Sequence, residues 1–320
     1  LEGLKWAMNG GTGSLLTPNE SEFAQQILIE NLREPMEIAP LPDGRVLMIE
    51  RHGSVHLIDP ATGSTKIAAE VEVFSEMEDG LLGLALDPGF EDNGWIYMYY
   101  SAPGDIAEQH LSRFHFDGQA VDLASEAILL KVPTQRAECC HAGGSVAFDS
   151  KGNLYISTGD DTNPFASDGF SPSDETPGRS PWDAQGTSAN SRDYRGKILR
   201  IKPQDDGTYT IPEGNLFADG VDGHPEIYIM GDRNPFRISV DQSTDWLYWG
   251  EIGPDASDPK EGRGPAGHDE FNQARAAGFF GWPYFVGNNK PITISILRSS
   301  FRARCMTRRL PSMILQTTRV

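Results

Sequence analysis

The sequence predicts an all-β chain of the β-propeller type, and three observations carry that prediction. Amphipathic helical periodicity is almost absent after the first thirty or so residues. Glycine (34) and proline (22) are scattered along the whole length rather than gathered into linkers. A loose motif also recurs: a turn rich in Asp and Gly, a strand of alternating or continuous apolar residues, and then a polar or acidic residue.

The first copy is Pro42-Asp43-Gly44-Arg45-Val46-Leu47-Met48-Ile49-Glu50 and the second Asn93-Gly94-Trp95-Ile96-Tyr97-Met98-Tyr99. The third runs from Lys151 through Leu154-Tyr155-Ile156-Ser157-Thr158 to Gly159-Asp160, and the fourth is Asp245-Trp246-Leu247-Tyr248-Trp249-Gly250-Glu251. The first three start about 50 and about 58 residues apart, a period that suits four-stranded blades with long loops. The fourth follows about 90 residues later. Between them lies Asp161 to Ser191, rich in Ser, Asp, Pro and Gly, and then the strand-like Gly196-Lys197-Ile198-Leu199-Arg200-Ile201. This stretch reads as one blade with a long surface insertion, which gives four or five blades in all. A parallel β-helix or a sandwich produces similar periodicity, usually with shorter repeats.

At 320 residues with 38% apolar side chains the chain can bury a large core. Its formal charge of -19 repels phosphate backbones and anionic membrane faces, so nucleic acid is excluded as a partner class. The same acidity serves either as a solubilising surface or as a source of ligands for cations such as calcium. No apolar run is long enough to insert in a membrane, and the N-terminus carries no charged-then-apolar export segment. Three cysteines cannot build a disulfide framework, and two of them, Cys139 and Cys140, are adjacent.

Both ends differ from the middle. Residues 1–20 read as a linker or the end of an upstream domain, with Leu1 to Met8 as closing helical turns ended by Asn9-Gly10-Gly11. Residues 21–292 form the propeller. Residues 293–320 carry six arginines from Arg298 to Arg319 and no Asp, Glu or Gly, a shift expected of a frameshifted stretch or of a basic tail that docks on acidic surface.

Three segments have the residue types for chemistry. In Cys139-Cys140-His141-Ala142-Gly143-Gly144 the imidazole can take a proton near neutral pH, and the glycines would let a flat ligand approach the backbone. Asp160, closing the next strand, is placed to orient that imidazole, although a His before Gly-Gly also reads as an ordinary turn residue. Gly231-Asp232-Arg233-Asn234-Pro235 offers a guanidinium fork and a carboxamide, for a ligand or simply for capping a turn. Gly250-Glu251-Ile252-Gly253-Pro254-Asp255, with His268-Asp269-Glu270 beyond a glycine-rich loop, offers carbonyl and carboxylate oxygens of the kind calcium takes, or a plain acidic turn. No haem-attachment, zinc or phosphate-loop spacing is present.

Taken in order, these segments resemble the glucose/sorbosone dehydrogenase family of soluble quinoprotein sugar dehydrogenases. The blocks run from about Phe23 to Lys290 and include Leu32-Arg33-Glu34-Pro35, Asp79-Gly80-Leu81-Leu82-Gly83-Leu84, His141-Ala142-Gly143-Gly144, Arg195-Gly196-Lys197-Ile198-Leu199-Arg200, Gly231-Asp232-Arg233-Asn234-Pro235 and Gly281-Trp282-Pro283. The resemblance implies a six-bladed propeller, here incomplete, that binds pyrroloquinoline quinone (PQQ) and calcium and oxidises a sugar. It implies His141 as general base, Asp160 as its orienting carboxylate, and Arg233 and Asn234 as cofactor contacts. Gly253 and Pro254 match calcium-ligating carbonyls, and Asp269 and Glu270 match acidic residues associated with calcium. Glu78 stands where the glucose enzymes have a substrate-side Gln, so the sugar is expected to differ. The family's later Lys, Tyr and Arg contacts would lie in blades that this chain lacks. The resemblance further implies an external electron acceptor and a periplasmic or secreted location. Leu1 to Ala7 is similar to the end of a ThuA-like domain. A non-catalytic propeller and a calcium-dependent, lactonase-like hydrolase are the competing expectations.

Overall fold

The computed structural model describes residues 24–165, 173–174 and 177–292. The expectations for residues 1–20 and 293–320, and for the middle of the insertion, lie outside the described residues. Four antiparallel sheets follow one another along the chain. The first contains β1 (Pro35–Pro40), β2 (Val46–Glu50), β3 (Ser54–Asp59) and β4 (Ser64–Glu70). A second is built from β5 (Leu81–Leu86), β6 (Trp95–Ser101), β7 (Glu108–Phe116) and β8 (Val121–Pro133), with one helical turn, Phe90–Asn93, between its first two strands. In the third, β9 (Gly143–Phe148), β10 (Leu154–Thr158), β11 (Lys197–Pro203) and β13 (Ile227–Met230) lie in order, and the short β12 (Tyr209–Thr210) pairs with β11. The fourth comprises β14 (Pro235–Asp241), β15 (Trp246–Glu251) and β16 (Glu270–Ala274). After it the chain returns to the third sheet, where β17 (Gly278–Phe279) pairs in parallel with β13, and ends in a small hairpin of β18 (Phe285–Val286) and β19 (Lys290–Pro291).

Each sequence repeat is the second strand of one blade: β2, β6, β10 and β15. Among the described residues, the wide spacing before the fourth copy therefore hides no further blade. It comes from the chain between β10 and β11 and from the excursion around β12.

Period-2 alternation explains why these strands are apolar throughout. In β6, Ile96, Met98 and Tyr100 pack toward the first blade with Leu47, Ile49 and Leu84. Tyr97 and Tyr99 point the other way and join Ile156, Leu199 and Ile227 of the third. In β10 and β11 the same switch sends Ile156 and Leu199 back to the second blade, while Tyr155 and Ile198 meet Val240, Leu247 and Trp249 of the fourth. A middle blade is buried on both faces, so alternation shows as a continuous apolar run. Each such side chain contributes about 1.5–3 kcal/mol by leaving water.

The first strand of each blade is innermost. β1 packs on β5, β5 on β9 and β9 on β14. From β14, Arg237 reaches the first blade, donating to the Met36 carbonyl at 2.6 Å with Glu37 at 3.7 Å. The four inner strands thus surround one axis, as a propeller requires. Among the described residues no helix is long and apolar enough to cross a membrane.

Candidate functional site

The site is assembled at one end of the third and fourth blades, where β9 and β14 begin and β10 and β15 end. His141 precedes β9, and its Nδ1 lies 2.7 Å from Asp160 Oδ1, just past β10. Both are buried, His141 at 6% exposure and Asp160 at 0%. The other Asp160 oxygen accepts the indole N–H of Trp282 at 2.9 Å, and the amide of Thr162 reaches Oδ1 at 3.1 Å. A carboxylate with both oxygens occupied in this way is held in place. It is positioned to accept the N–H of the Nδ1 tautomer, the tautomer that leaves Nε2 as the acceptor.

Arg233 is tied in through its backbone, whose carbonyl accepts the Asp160 amide at 2.8 Å. Its guanidinium is almost wholly enclosed at 1% exposure. Nη1 donates to the carbonyls of Ile252 and Gly253 at 3.1 and 2.9 Å, whereas Nε and Nη2 are buried without a hydrogen-bond acceptor. Nη2 lies 3.5 Å from the exposed Asp255 carboxylate. Buried donors without acceptors are costly, so these two nitrogens suit an anionic or carbonyl oxygen brought by a ligand. Asn234 turns its carboxamide oxygen to the Gly143 amide at 3.1 Å, and Glu78 accepts the Ala142 amide at 3.0 Å. Both brace the backbone on either side of the imidazole.

The Gly253 amide donates to Asp269 at 3.0 Å, and Glu270 accepts the Gly287 amide at 2.5 Å. Gly253, Pro254 and Glu270 line a small pocket with Arg233 and Trp282. Hydrogen bonds link Glu78 to the His141 loop, His141 to Asp160, Asp160 to Arg233, and Arg233 to Gly253 and on to Asp269, while Arg233, Gly253, Pro254 and Glu270 share the pocket. The carbonyls of Gly253 and Pro254 each already accept one hydrogen bond, from Arg233 and from the Ala256 amide, and Gly267 packs against the Pro254 oxygen, so a cation would take the remaining lone pair of each. Among the described residues no group of three or more acidic, His or Cys side chains has metal-binding geometry, so calcium here would rest mainly on carbonyls. The pairing of orphaned guanidinium donors with adjacent free carbonyl lone pairs fits a quinone and its cation.

Two sequence expectations are corrected. The glycines after His141 do not leave room for a ligand. A Cβ on Gly143 would come within 2.6 Å of the Gly159 nitrogen, and one on Gly144 within 2.4 Å of Leu82. Both also have positive φ, 64° and 109°, so glycine is required by backbone conformation and by protein packing. The insertion after Asp160 is not merely a surface loop either. Thr162, Ala184, Thr187 and Ser188 are buried, and Asn163 donates to Glu138 beside the His141 loop at 2.5 Å. Lys197, fully buried at the start of β11, gives its three protons to the carbonyls of Thr187, Ser188 and Arg195 at 2.7–3.0 Å and so fixes the returning chain. Cys139 and Cys140 are joined in a disulfide immediately before His141.

Sequence reading missed three contributors. Trp282 lay in a recognised block without a role. Glu251 accepts the amides of Arg233 and Asn234 at 2.5 and 3.0 Å, and only its place at the end of the fourth repeat hinted at this. Asp232 is buried beside it, one oxygen without a partner, and burial raises its carboxyl to about 8. Burial raises Glu251 as well, with Asp232 adding to the effect. Asp161 is likewise pushed to about 7 by burial, opposed by Arg195 at 3.0 Å, and burial lowers Lys197 to about 7.

This geometry defines a propeller with a buried imidazole–carboxylate pair beside a ligand-seeking guanidinium. The chain belongs to the glucose/sorbosone dehydrogenase family, whose model matches residues 32–292. It is 25% identical to quinoprotein glucose dehydrogenase B of Acinetobacter calcoaceticus over 85% of this chain and 56% of that protein. The PQQ-bound aldose sugar dehydrogenase of Streptomyces coelicolor superposes with a TM-score of 0.62 at 25% identity, covering 82% of this chain and 66% of the other. Human Hedgehog-interacting protein is 26% identical over 69% of this chain and 32% of its own length. The chain spans about three fifths of the first curated relatives it matches, 61% and 56%.

Proposed function

We propose that this propeller is the catalytic unit of a PQQ- and calcium-dependent sugar dehydrogenase that oxidises the C1 hydroxyl of an aldose. The observation that carries the reading is the Asp160-anchored imidazole next to Nε and Nη2 of Arg233, which are buried without a hydrogen-bond acceptor. His141 Nε2 takes the hydroxyl proton, and Asp160 stabilises the imidazolium that forms. PQQ with calcium, when bound, supplies the hydride acceptor and a Lewis acid, and an external acceptor later takes the electrons. Arg233 and Asn234 would hold the cofactor, with the carbonyls of Gly253 and Pro254 on the cation and Asp269 and Glu270 supporting those loops. Glu78 stands on the substrate side and selects the sugar. A periplasmic or secreted location belongs to the same proposal.

The test is dye reduction by several aldoses after PQQ and calcium are added. Cofactor-dependent turnover that drops about 10²–10⁴-fold in His141→Ala is expected. Similarity to Hedgehog-interacting protein favours a second reading, a propeller that binds without catalysis. Absence of any PQQ-dependent absorbance or reduction would support it, and lactone hydrolysis with calcium alone would point to a hydrolase.

A further inference from the structure

The opposite ends of the same strands build a second cavity. β10, β13 and β15 begin there and β11 ends there, so it lies across the blades from His141. Its volume is about 490 Å³, within the usual range for small-molecule sites. Tyr155, Tyr228 and Arg200 line it from buried positions, each with 8% exposure or less. Arg200 lies over the Tyr228 ring at 4.2 Å. It donates to Asn215 at 2.7 Å, to the Glu213 carbonyl at 2.6 Å and, at a long 3.4 Å, to the Tyr155 hydroxyl. A guanidinium has five N–H groups, so donors remain for an incoming acceptor.

Charge supports the same conclusion. Four basic side chains line the cleft, Lys151, Arg200, Lys202 and Arg275, against the acidic Asp149, Glu213 and Asp245. Asp149 is already saturated by the Lys151 and Asn153 amides and the Asn153 carboxamide. Asp245 is paired with Lys151 at 2.8 Å. Lys202 is exposed at the rim and makes no ion pair among the described residues. Four basic against three acidic side chains leave the cleft one net positive charge inside a chain of charge -19. The remaining lining combines hydroxyl, carboxamide and aromatic groups from Thr210, Thr244, Asn153 and Trp246 with the apolar Ile211 and Pro212, a mixture that suits the hydroxyl and C–H faces of a polyol.

We propose that this cleft is a second ligand site for a sugar-sized polyol bearing one oxyanion, with Arg200 and Lys202 holding the charged end. The proposal is independent of the sugar dehydrogenase reading. Carboxylate and phosphate share the required chemistry, and titration separates them: sodium gluconate, glucose 6-phosphate, glucose and sodium sulfate are each titrated calorimetrically into the protein without PQQ. Saturable one-site binding of gluconate or glucose 6-phosphate is expected, with neither glucose nor sulfate matching it. Charge reversal in Lys202→Glu, at an exposed rim position that leaves the fold intact, should weaken binding by roughly tenfold or more. Arg200→Lys, which keeps the charge but loses the fork, should weaken it further. No binding of either anion, equal binding of glucose or sulfate, or undiminished affinity in Lys202→Glu would overturn the proposal.

Discussion

The hydrogen bond between Trp282 and Asp160 can be tested without any cofactor, by a double-mutant cycle. Asp160 is fully buried and accepts three hydrogen bonds, from His141 and Thr162 on one oxygen and from Trp282 on the other. Asp160→Asn leaves one acceptor oxygen and replaces the other with an NH₂ group. If the oxygen keeps His141 and Thr162, the NH₂ faces the indole N–H across 2.9 Å, donor against donor. Each buried unsatisfied donor costs about 1–3 kcal/mol, so the variant should lose about 2–4 kcal/mol. Trp282→Phe removes the indole donor and some volume, and should cost about 2–4 kcal/mol on the same reasoning. In the double variant no N–H opposes the amide, so the combined loss should fall short of the sum by about 1–2 kcal/mol. Urea denaturation of the four proteins measures these values. Additivity within about 0.5 kcal/mol would mean that Trp282 does not hold Asp160, and the positional argument for His141 would lose its support.

Other expectations follow from the same coordinates. Burial holds the Asp161 carboxyl near 7 in the folded chain against 3.8 in a free one. The folded state therefore keeps a proton that the unfolded state releases, and this group makes stability fall as pH rises from about 4 to about 7. Asp161→Asn should flatten that slope in urea midpoints, and an unchanged slope would refute the assignment. In Gly267→Ala the new Cβ would sit 1.6 Å from the Pro254 carbonyl oxygen, so a loss of about 1–3 kcal/mol is expected in melting experiments, and wild-type stability would contradict the close approach. Thiol titration of the denatured, unreduced chain should detect one of the three cysteines, because Cys139 and Cys140 are bonded, and all three after reduction. Three thiols before reduction would rule that bond out.

Fold was legible because burial on two faces leaves a mark on each middle strand, and the turn residues before β2, β6, β10 and β15 punctuate it. The blade count was blurred by chain that carries no repeat, between Asp160 and Lys197 and around β12. Nothing in that stretch's Ser, Asp and Gly content signals burial. One of the groups that fix it is Lys197, whose apolar-looking strand context hides three carbonyl partners. The site was legible where chemistry is carried by side chains of distinctive type, as at His141, Asp160 and Arg233. The supporting groups were not, because their partners are backbone amides, which every residue has. Glu251 and Asp269 act on such amides, and no spacing rule encodes that.

The repeat itself explains how a catalytic-type pair can arise in one blade. At the end of the second strand each blade places a polar side chain toward the chain entering its innermost strand. In the first blade Glu50 accepts the Arg33 amide at 2.5 Å, and in the fourth Glu251 accepts the Arg233 amide at the same distance. In the second the Ser101 hydroxyl accepts the Gly80 amide at 3.2 Å. Here the group closes a loop. All four blades have an irregular register between their first two strands, and in the third Asp160, just past β10, meets an imidazole of the entering chain instead of a backbone amide. The carboxylate is thus positioned by a structural rule that all four blades obey, while its partner is an exception confined to one. Reactivity follows from that exception, since a backbone amide cannot take up a proton near neutral pH and an imidazole can.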